Sequence, residues 1–379
     1  MNKFYAFLLI AFIGFFNSCN RDDDNLAIES LDYQSISITK KSLTDLMKVG
    51  KISRTVKLDA NSESIIGSVD YAIVDKNGDI YVGDFDSGKK VLRFNKEGKF
   101  LNGFGRPGQG PGEYGYLKKF DISTKNEIFL ISYDKLLTFK KTGELLNELR
   151  LPYTPIDVKV VNDSIFLYVI GYRNREGEKN SIVVLNSDLT QVGGLSDFDT
   201  RLLKYKFLSI NQMGKFGENL FFIDIYDLAL TIYSVKEKRL IRLKIPNENY
   251  QLDEIWKKSH FIETDRDEIA KRIHRFELIY AMDEKLFLWE HWQLKGIYDY
   301  WLLDLKKRKA LVLTYPGPEY FKENLFFDRI VGGYDKGIIC VYDDVEKFNK
   351  HKNEFPILKD VSFSMEDNPI LVFFEFNEL

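Results

Sequence analysis

A glycine-rich loop is the segment with the most evident chemical potential, because glycines let a backbone wrap closely around a phosphate. The loop runs from Gly103 to Tyr116 and reads GFGRPGQGPGEYGY. A phosphate-binding P-loop ends in Lys followed by Ser or Thr and opens a helix, whereas Glu113 and Tyr114 follow here and a strand comes next. We therefore interpret the glycines as allowing a tight crossing of the chain. The first candidates for ligand contact are four polar side chains of this loop: Arg106, Gln109, Glu113 and Tyr116.

The sequence gives little support for metal or nucleophile chemistry. Asp84 and Asp86 could contact calcium, but they match no twelve-residue calcium loop and are interpreted as turn residues. No G-x-S-x-G motif is present. The four histidines stand at no short zinc-ligand spacing; they are His260, His274, His291 and His351. We expect no metal and no cofactor, and the sequence identifies no catalytic residue.

Three tryptophans in one stretch could stack on sugar rings, and His291 lies among them. They are Trp289, Trp292 and Trp301. Packing between neighbouring sheets is the favoured interpretation, because alternating residues of a strand must face a neighbour. Cys340, within an apolar run, is interpreted as a buried small hydrophobic residue.

Composition indicates a globular β-rich chain without an affinity for polyanions. Phe and Tyr are abundant, at 30 and 21 residues, and aromatic residues favour strands. The formal net charge is -3. Because nothing concentrates positive charge for gathering phosphates, we expect no nucleic-acid partner.

Polar turns between apolar runs recur along the chain, and their spacing predicts the fold. One series of five turns is separated by steps of 45, 45, 49 and 70 residues; it is centred on Gly98, Gly143, Asp188, Glu237 and Lys307. A second series of six turns marks an earlier hairpin in each unit; it comprises Asn77–Asp79, Lys125–Glu127, Asn162–Asp163, Gly217–Asn219, Asp283–Glu284 and Asp335–Gly337. A repeat of roughly 40–50 residues built from short strands is typical of propeller blades. The sequence therefore predicts an all-β, six-bladed β-propeller over residues 51–379.

The two ends of that region predict how the ring closes. Residues 52–58 form a strand with no blade of its own, and residues 370–376 read as a third strand lacking a fourth. We expect the N-terminal strand 52–58 to join the C-terminal blade, because an open array would expose edge strands. The long step before Lys307 predicts a helical insertion near 251–275.

The N-terminus predicts export and lipid attachment. Lys3 precedes an apolar run from Phe4 to Phe16, which is shorter than the roughly 20 residues that span a bilayer and fits a secretory signal. The run ends in FNSC, which resembles the lipobox of bacterial lipoproteins. This resemblance implies a signal peptide over 1–18, lipid on Cys19 and a tether and linker over 19–50. The acidic run 22–24 resembles the surface-export signal of Bacteroidetes lipoproteins.

The best-defined repeat carries a family resemblance. Its motifs are GDIYV at 78–82, the segment 89–94, GKFL at 98–101 and GQGPGEY at 108–114. They are similar to the six-bladed β-propeller lipoproteins of Bacteroidetes, which are themselves similar to NHL-repeat propellers. The resemblance implies fold and an outer-membrane, surface-exposed location, and it implies no activity.

Two functions remain open at this point. One is a surface binding module for a glycan, peptide or protein partner, held to the membrane through its lipid. The other is a hydrolase or lyase with its site at the central channel. Ionisable side chains that converge within hydrogen-bond reach at the channel mouth would favour the second.

Overall fold

The computed structural model describes residues 27–31, 37–42, 46–169, 180–197, 213–223, 229–244, 274–282, 285–292, 297–315 and 327–377. Cys19, the signal peptide, the acidic run 22–24 and His260 lie outside these residues. So does the predicted helical insertion up to residue 273, and strand β22 begins directly afterwards at His274. No helix in the described part of the chain is both long and apolar enough to span a bilayer.

Four elements precede the first blade. They are β1 (Ala27–Leu31), β2 (Ser37–Ser42), α1 (Leu46–Val49) and β3 (Gly50–Lys57). Residues 19–50 are predicted as a tether and linker, and two strands and a helical turn lie in that segment.

The described strands form antiparallel sheets built from units of four strands, and the protein is a β-propeller. Blade 1 is β4 (Tyr71–Val74), β5 (Ile80–Asp84), β6 (Lys90–Phe94) and β7 (Phe100–Gly103). The crossing to blade 2 carries β8 (Arg106–Pro107) and β9 (Glu113–Tyr114). Blade 2 is β10 (Lys119–Ile122), β11 (Ile128–Ser132), β12 (Lys135–Phe139) and β13 (Leu145–Arg150). Blade 3 is β14 (Pro155–Val161), β15 (Ser164–Val169), β16 (Asn180–Leu185) and β17 (Gln191–Asp197).

The remaining blades follow the same order. Blade 4 is β18 (Met213–Phe216), β19 (Asn219–Ile223), β20 (Ala229–Ser234) and β21 (Arg239–Lys244). Blade 5 is β22 (His274–Met282), β23 (Lys285–Trp292), β24 (Ile297–Asp304) and β25 (Lys309–Tyr315). Blade 6 is β26 (Arg329–Tyr334), β27 (Gly337–Tyr342) and β28 (Ile370–Phe376), with α2 (Val345–His351) between its last two strands.

The turns form where the sequence predicts them, because short polar side chains satisfy their backbone. The Asn95 side chain accepts hydrogen bonds from the N–H groups of Glu97 and Lys99. Gly98 takes a left-handed φ of 91° there, which costs glycine little. Ser123 performs the same task in the first hairpin of blade 2. Local turn chemistry therefore fixes the hairpin register.

The first strands of neighbouring blades lie side by side around the molecular axis. Blade 6 meets blade 1 where Gly332 of β26 pairs in parallel with Ala72 of β4. Blades 1 and 2 meet through Tyr71 and Phe120, whose ring centroids are 5.3 Å apart. Apolar clusters fill the spaces between blades; one between blades 2 and 3 includes Phe129, Val158 and Leu167.

Three N-terminal strands lie on the outer edges of three blades. β3 runs antiparallel to β28, with Lys57 opposite Ile370 and Gly50 opposite Phe376. The pairing predicted between residues 52–58 and 370–376 is therefore present in the structure. β1 adds in parallel to β21 of blade 4, and β2 adds in parallel to β25 of blade 5. The N-terminal segment thus follows the rim of the molecule across three successive blades.

Candidate functional site

A pocket opens on the molecular axis at the end where the first strands leave the ring. It encloses about 380 Å³, within the range of small-molecule sites. Every blade contributes to its wall, through Tyr71, Asp121, Lys159, Lys215, Tyr280 and Tyr334 among others. The first hairpin turns form its mouth, including Thr124, Asn162 and Gly217. We call this site the axial pocket.

One ion pair in the wall links three blades. The Lys215 ammonium of β18 lies 2.6 Å from the Asp121 carboxylate of β10. It also donates hydrogen bonds to the backbone oxygens of Ile122 and Val160. The same Asp121 carboxylate accepts the Val160 N–H at 2.7 Å. The pair is therefore held by backbone groups as well as by charge.

A second pair lies on β14. The Lys159 ammonium is 2.8 Å from the Asp157 carboxylate, and both side chains are buried. Asp157 also accepts the N–H of Met213 in blade 4 at 3.1 Å. Burial opposes the charge of Lys159, but Asp157, Tyr71 and Asp121 together raise its pKa above the ordinary value. Lys159 is consequently a fixed cation in the pocket wall.

Lys119 lies beside these pairs on β10 and has a different character. It is 2% exposed, and its ammonium lies 3.5 Å from the centroid of the Tyr71 ring. Burial lowers the pKa of Lys119 to about 7, although Asp157 offsets part of the effect. Burial also raises the pKa of the Tyr71 hydroxyl well above its usual range. Burial therefore weakens the hold of Lys119 on its proton, in contrast to Lys159.

The mouth of the pocket is fixed by a network between blades 1 and 2. Asp75 accepts the N–H groups of Asn77 and Asp79, and its carboxylate lies 2.7 Å from the Lys141 ammonium. Arg93 and Lys141 both lie within 2.8 Å of the Asp79 carboxylate. Burial acts to raise the pKa of Asp79, but the hydrogen bonds and charges of Lys141 and Arg93 outweigh it and lower the pKa. These contacts position the first hairpin of blade 1 against blade 2.

The contact residues predicted in the glycine-rich loop lie at the opposite end of the ring. Arg106 and Glu113 are brought together, with Nε 2.7 Å from Oε1. Glu113 also accepts the Gly110 N–H, and this bond is the main cause of its lowered pKa. Gln109 is exposed in the same loop, and Tyr116 is 39% exposed beyond it. The two short strands β8 and β9 pair in parallel here, so the loop opens no helix.

The aspartate and tryptophan candidates from the sequence make contacts that stabilise turns and packing. Asp84 accepts the N–H groups of Gly67 and Gly88 within a turn. Trp289 stacks on Tyr300 with ring centroids 6.4 Å apart, and Trp301 is buried. The Trp292 and His291 side chains lie outside the described residues. No group of three metal-ligating side chains occurs in the part of the chain that the structure describes.

Cys340 and His351, two further candidates for chemistry in the sequence, are both buried. Cys340 is fully buried, and burial raises its pKa well above the ordinary value. His351 is buried in α2, and burial lowers its pKa.

The central channel is predicted from the sequence as a possible site, but none of its charged residues is, although the sequence contains a signal for them. Lys119 and Asp121 alternate with apolar residues on β10, and Asp157 and Lys159 do so in reverse order on β14. Charged residues in strands that are buried on both faces need partners, so they indicate an interior polar site. Only the packing of first strands around the axis brings them together.

Comparisons with solved structures identify two similar folds. A protein of Bacteroides fragilis whose name describes it as exported matches with a TM-score of 0.71 and 20% identity, covering 93% of this chain and 100% of that chain. A DUF4221 family member from Bacteroides vulgatus matches with a TM-score of 0.52 and 10% identity, covering 87% of this chain and 98% of that one. At these identities the likeness shows the fold alone. No curated protein matches the sequence.

A family model described as a domain of unknown function, DUF4934, matches residues 33–375. The match spans β2, all six blades and the rim strand β3. The chain therefore belongs to the DUF4934 family.

Proposed function

We propose that the protein is a surface-exposed binding module of the outer membrane, anchored by lipid on Cys19, whose ligand occupies the axial pocket. The main support for a ligand site is that six first strands converge on a concave, partly polar cavity of about 380 Å³. Such cavities, lined by apolar side chains with a few placed polar groups, are the usual form of small-molecule sites. A small polar molecule, or the end of a peptide or glycan, fits this volume.

The arrangement of the charged groups supports binding over catalysis. Asp121 already accepts one backbone N–H and one ammonium, and Asp157 likewise accepts backbone N–H groups beside Lys159. A general base must reach a proton on the substrate. Ionisable side chains do converge within hydrogen-bond reach at this pocket, which is the feature that the hydrolase or lyase alternative requires. Both carboxylates are nevertheless engaged by backbone N–H groups and ammonium groups of the ring itself, so binding is the function that we propose first.

Chain length supports a short tether. β1 begins at Ala27, eight residues after Cys19. At about 3.6 Å per extended residue, that interval spans at most roughly 29 Å. A lipid on Cys19 would keep the outer edge of blade 4, on which β1 lies, within that distance of the bilayer. The name of the similar Bacteroides fragilis protein, which describes it as exported, agrees with this placement.

Replacing the lipid attachment site tests the anchor. Cys19→Ser should release the protein from membranes and abolish labelling by a fatty-acid analogue, since stable anchoring needs the acyl chains. Cys340→Ala is the matched control and should leave both readouts unchanged, because Cys340 is buried. Unchanged membrane fractionation of Cys19→Ser, or an unlabelled parent protein, would contradict the lipid anchor.

Protease added to intact cells tests surface exposure in the same strains. The parent protein should be cut, and replacing residues 22–24 by Ala should reduce cutting without reducing membrane association. A parent protein that is protected on intact cells but cut by the same protease after cell lysis would contradict surface exposure.

A further inference from the structure

Two tyrosines form an exposed aromatic pair at the end of the ring opposite the axial pocket. Tyr116 lies three residues before Lys119, where the first strand of blade 2 begins, and Tyr133 directly follows its second strand. Their rings are 39% and 50% exposed, with centroids 5.7 Å apart and planes tilted by 46°. They are the only aromatic residues among the exposed large hydrophobic side chains that the structure describes.

Tyr133 occupies an unfavourable backbone position. It has a φ of 50° in the two-residue turn between β11 and β12, where glycine, asparagine or aspartate is the ordinary choice. A left-handed conformation costs a bulky L-residue free energy. Because the Tyr133 ring is half exposed, its packing does not offset this free-energy cost. The presence of a tyrosine here therefore indicates a role in binding and not in stability.

A carboxylate from the neighbouring blade completes the group. The Tyr116 hydroxyl lies 3.4 Å from Asp86 Oδ1, and burial and the Asp86 charge raise the pKa of Tyr116. The backbone N–H groups of Phe85 and Asp86 are both within hydrogen-bond distance of the Asp70 carboxylate, so the Asp86 loop is positioned by blade 1. We call Tyr116, Tyr133 and Asp86 the tyrosine platform.

The platform has the chemistry of a sugar site. The apolar C–H face of a pyranose can cover exposed aromatic rings, and its hydroxyls can donate to a carboxylate. Cation–π attraction at solvated rings contributes only about 0.5–1 kcal/mol, and binding of a cation is one of the outcomes that the test below distinguishes. Asp86, and the exposed Asp134 that follows Tyr133 in the chain, repel acidic or phosphorylated sugars. We propose that the tyrosine platform is a second binding site, specific for neutral hexose glycans and separate from the axial pocket.

Binding of the full-length protein to an array of neutral hexose oligosaccharides tests the proposal. The parent should bind at least one structure on the array, and Tyr116→Ala and Tyr133→Asn should each reduce that binding at least tenfold. Asparagine tolerates a left-handed φ, so Tyr133→Asn should melt at the same temperature as the parent or higher. Lys238→Asn is the matched control, since Lys238 has a φ of 50° in an exposed turn of blade 4; it should bind like the parent.

Several results would overturn the proposal. These are an array on which the parent binds no neutral oligosaccharide, glycan binding that survives in the Tyr116→Ala, Tyr133→Asn double variant, and a lowered melting temperature for Tyr133→Asn. Binding of tetramethylammonium at these rings in place of a sugar would also overturn it. None of these outcomes bears on the axial pocket or on Cys19, so the two proposals fail separately.

Discussion

At the scale of residues, charged side chains that line the channel form ion pairs, and a further buried lysine, Lys119, lies beside them. Lys159 and Lys215 face carboxylates held by backbone N–H groups. Lys119 lies over the Tyr71 ring, and burial lowers its pKa to about 7. Buried charges of this kind add little net stability, but they fix neighbouring strands in one arrangement.

Replacing Lys119 should change how stability depends on pH. The unfolded chain, with a lysine pKa of about 10.4, binds more protons than the folded protein above pH 7. The parent should therefore gain about 2 kcal/mol of unfolding free energy from this group between pH 7 and 9. Lys119→Met should be more stable at pH 7 and lose this gain, as measured by urea unfolding at both values. The exposed-turn variant Lys236→Met should keep the gain of the parent, and an equal gain in Lys119→Met would refute the assignment.

A glycine at the contact between blades 6 and 1 provides a second test. A Cβ on Gly332 would collide with the backbone oxygen of Ala72. Gly332→Ala should therefore destabilise the protein by about 1–3 kcal/mol, because overpacking forces the two first strands apart. Gly193→Ala is the matched control in strand β17, where the added Cβ meets nothing within 4 Å. Its midpoint in thermal unfolding should match or exceed that of the parent; equal loss in both variants would contradict the contact.

Individual site residues were hard to predict from the sequence for a physical reason. The glycine-rich loop could be predicted as a site because its polar residues are close together in the chain. The axial pocket takes single residues from strands that are on average tens of positions apart, such as Asp121, Lys159 and Lys215. Only the closed packing of the strands makes them neighbours.

At the scale of elements, the blade strands could be predicted from the sequence because each has its own local pattern. A hairpin turn is predicted by a short polar side chain that can accept backbone N–H groups, as Asn95 does. A buried strand such as β11 is predicted by a run that is apolar on both faces. The outer strands β1 and β2 do not. Both are short, and each pairs in parallel with a strand more than 200 residues away, so no local pattern marks it.

Truncation separates the roles of the three rim strands. A protein beginning at residue 46 loses β1 and β2 and should remain soluble with a modest drop in melting temperature. One beginning at residue 59 also loses β3, which uncovers β28, whose first five residues are fully buried. An uncovered apolar edge strand should promote aggregation. Equal solubility and melting temperature of the two truncations would contradict closure of the ring by β3.

At the scale of the whole molecule, the proposed functions divide between the two ends of one ring. The axial pocket opens at the end formed by the first hairpins, the tyrosine platform lies at the other, and the N-terminal strands occupy the rim between them. A rim attachment close to the membrane would leave both ends accessible from the side. Ligand binding in the axial pocket is the central proposal, because residues of every blade line this pocket.

Native mass spectrometry of the detergent-solubilised protein, exposed to the small-molecule fraction of spent culture medium, tests the pocket most directly. Thr124 lines the mouth of the pocket and is exposed, whereas Thr142 lies in another exposed turn of blade 2 at the same end. The account predicts that the parent and Thr142→Trp retain one molecule of the same mass per chain, and that occupancy falls at least tenfold in Thr124→Trp. A parent protein that retains nothing, or equal occupancy in all three proteins, would contradict it.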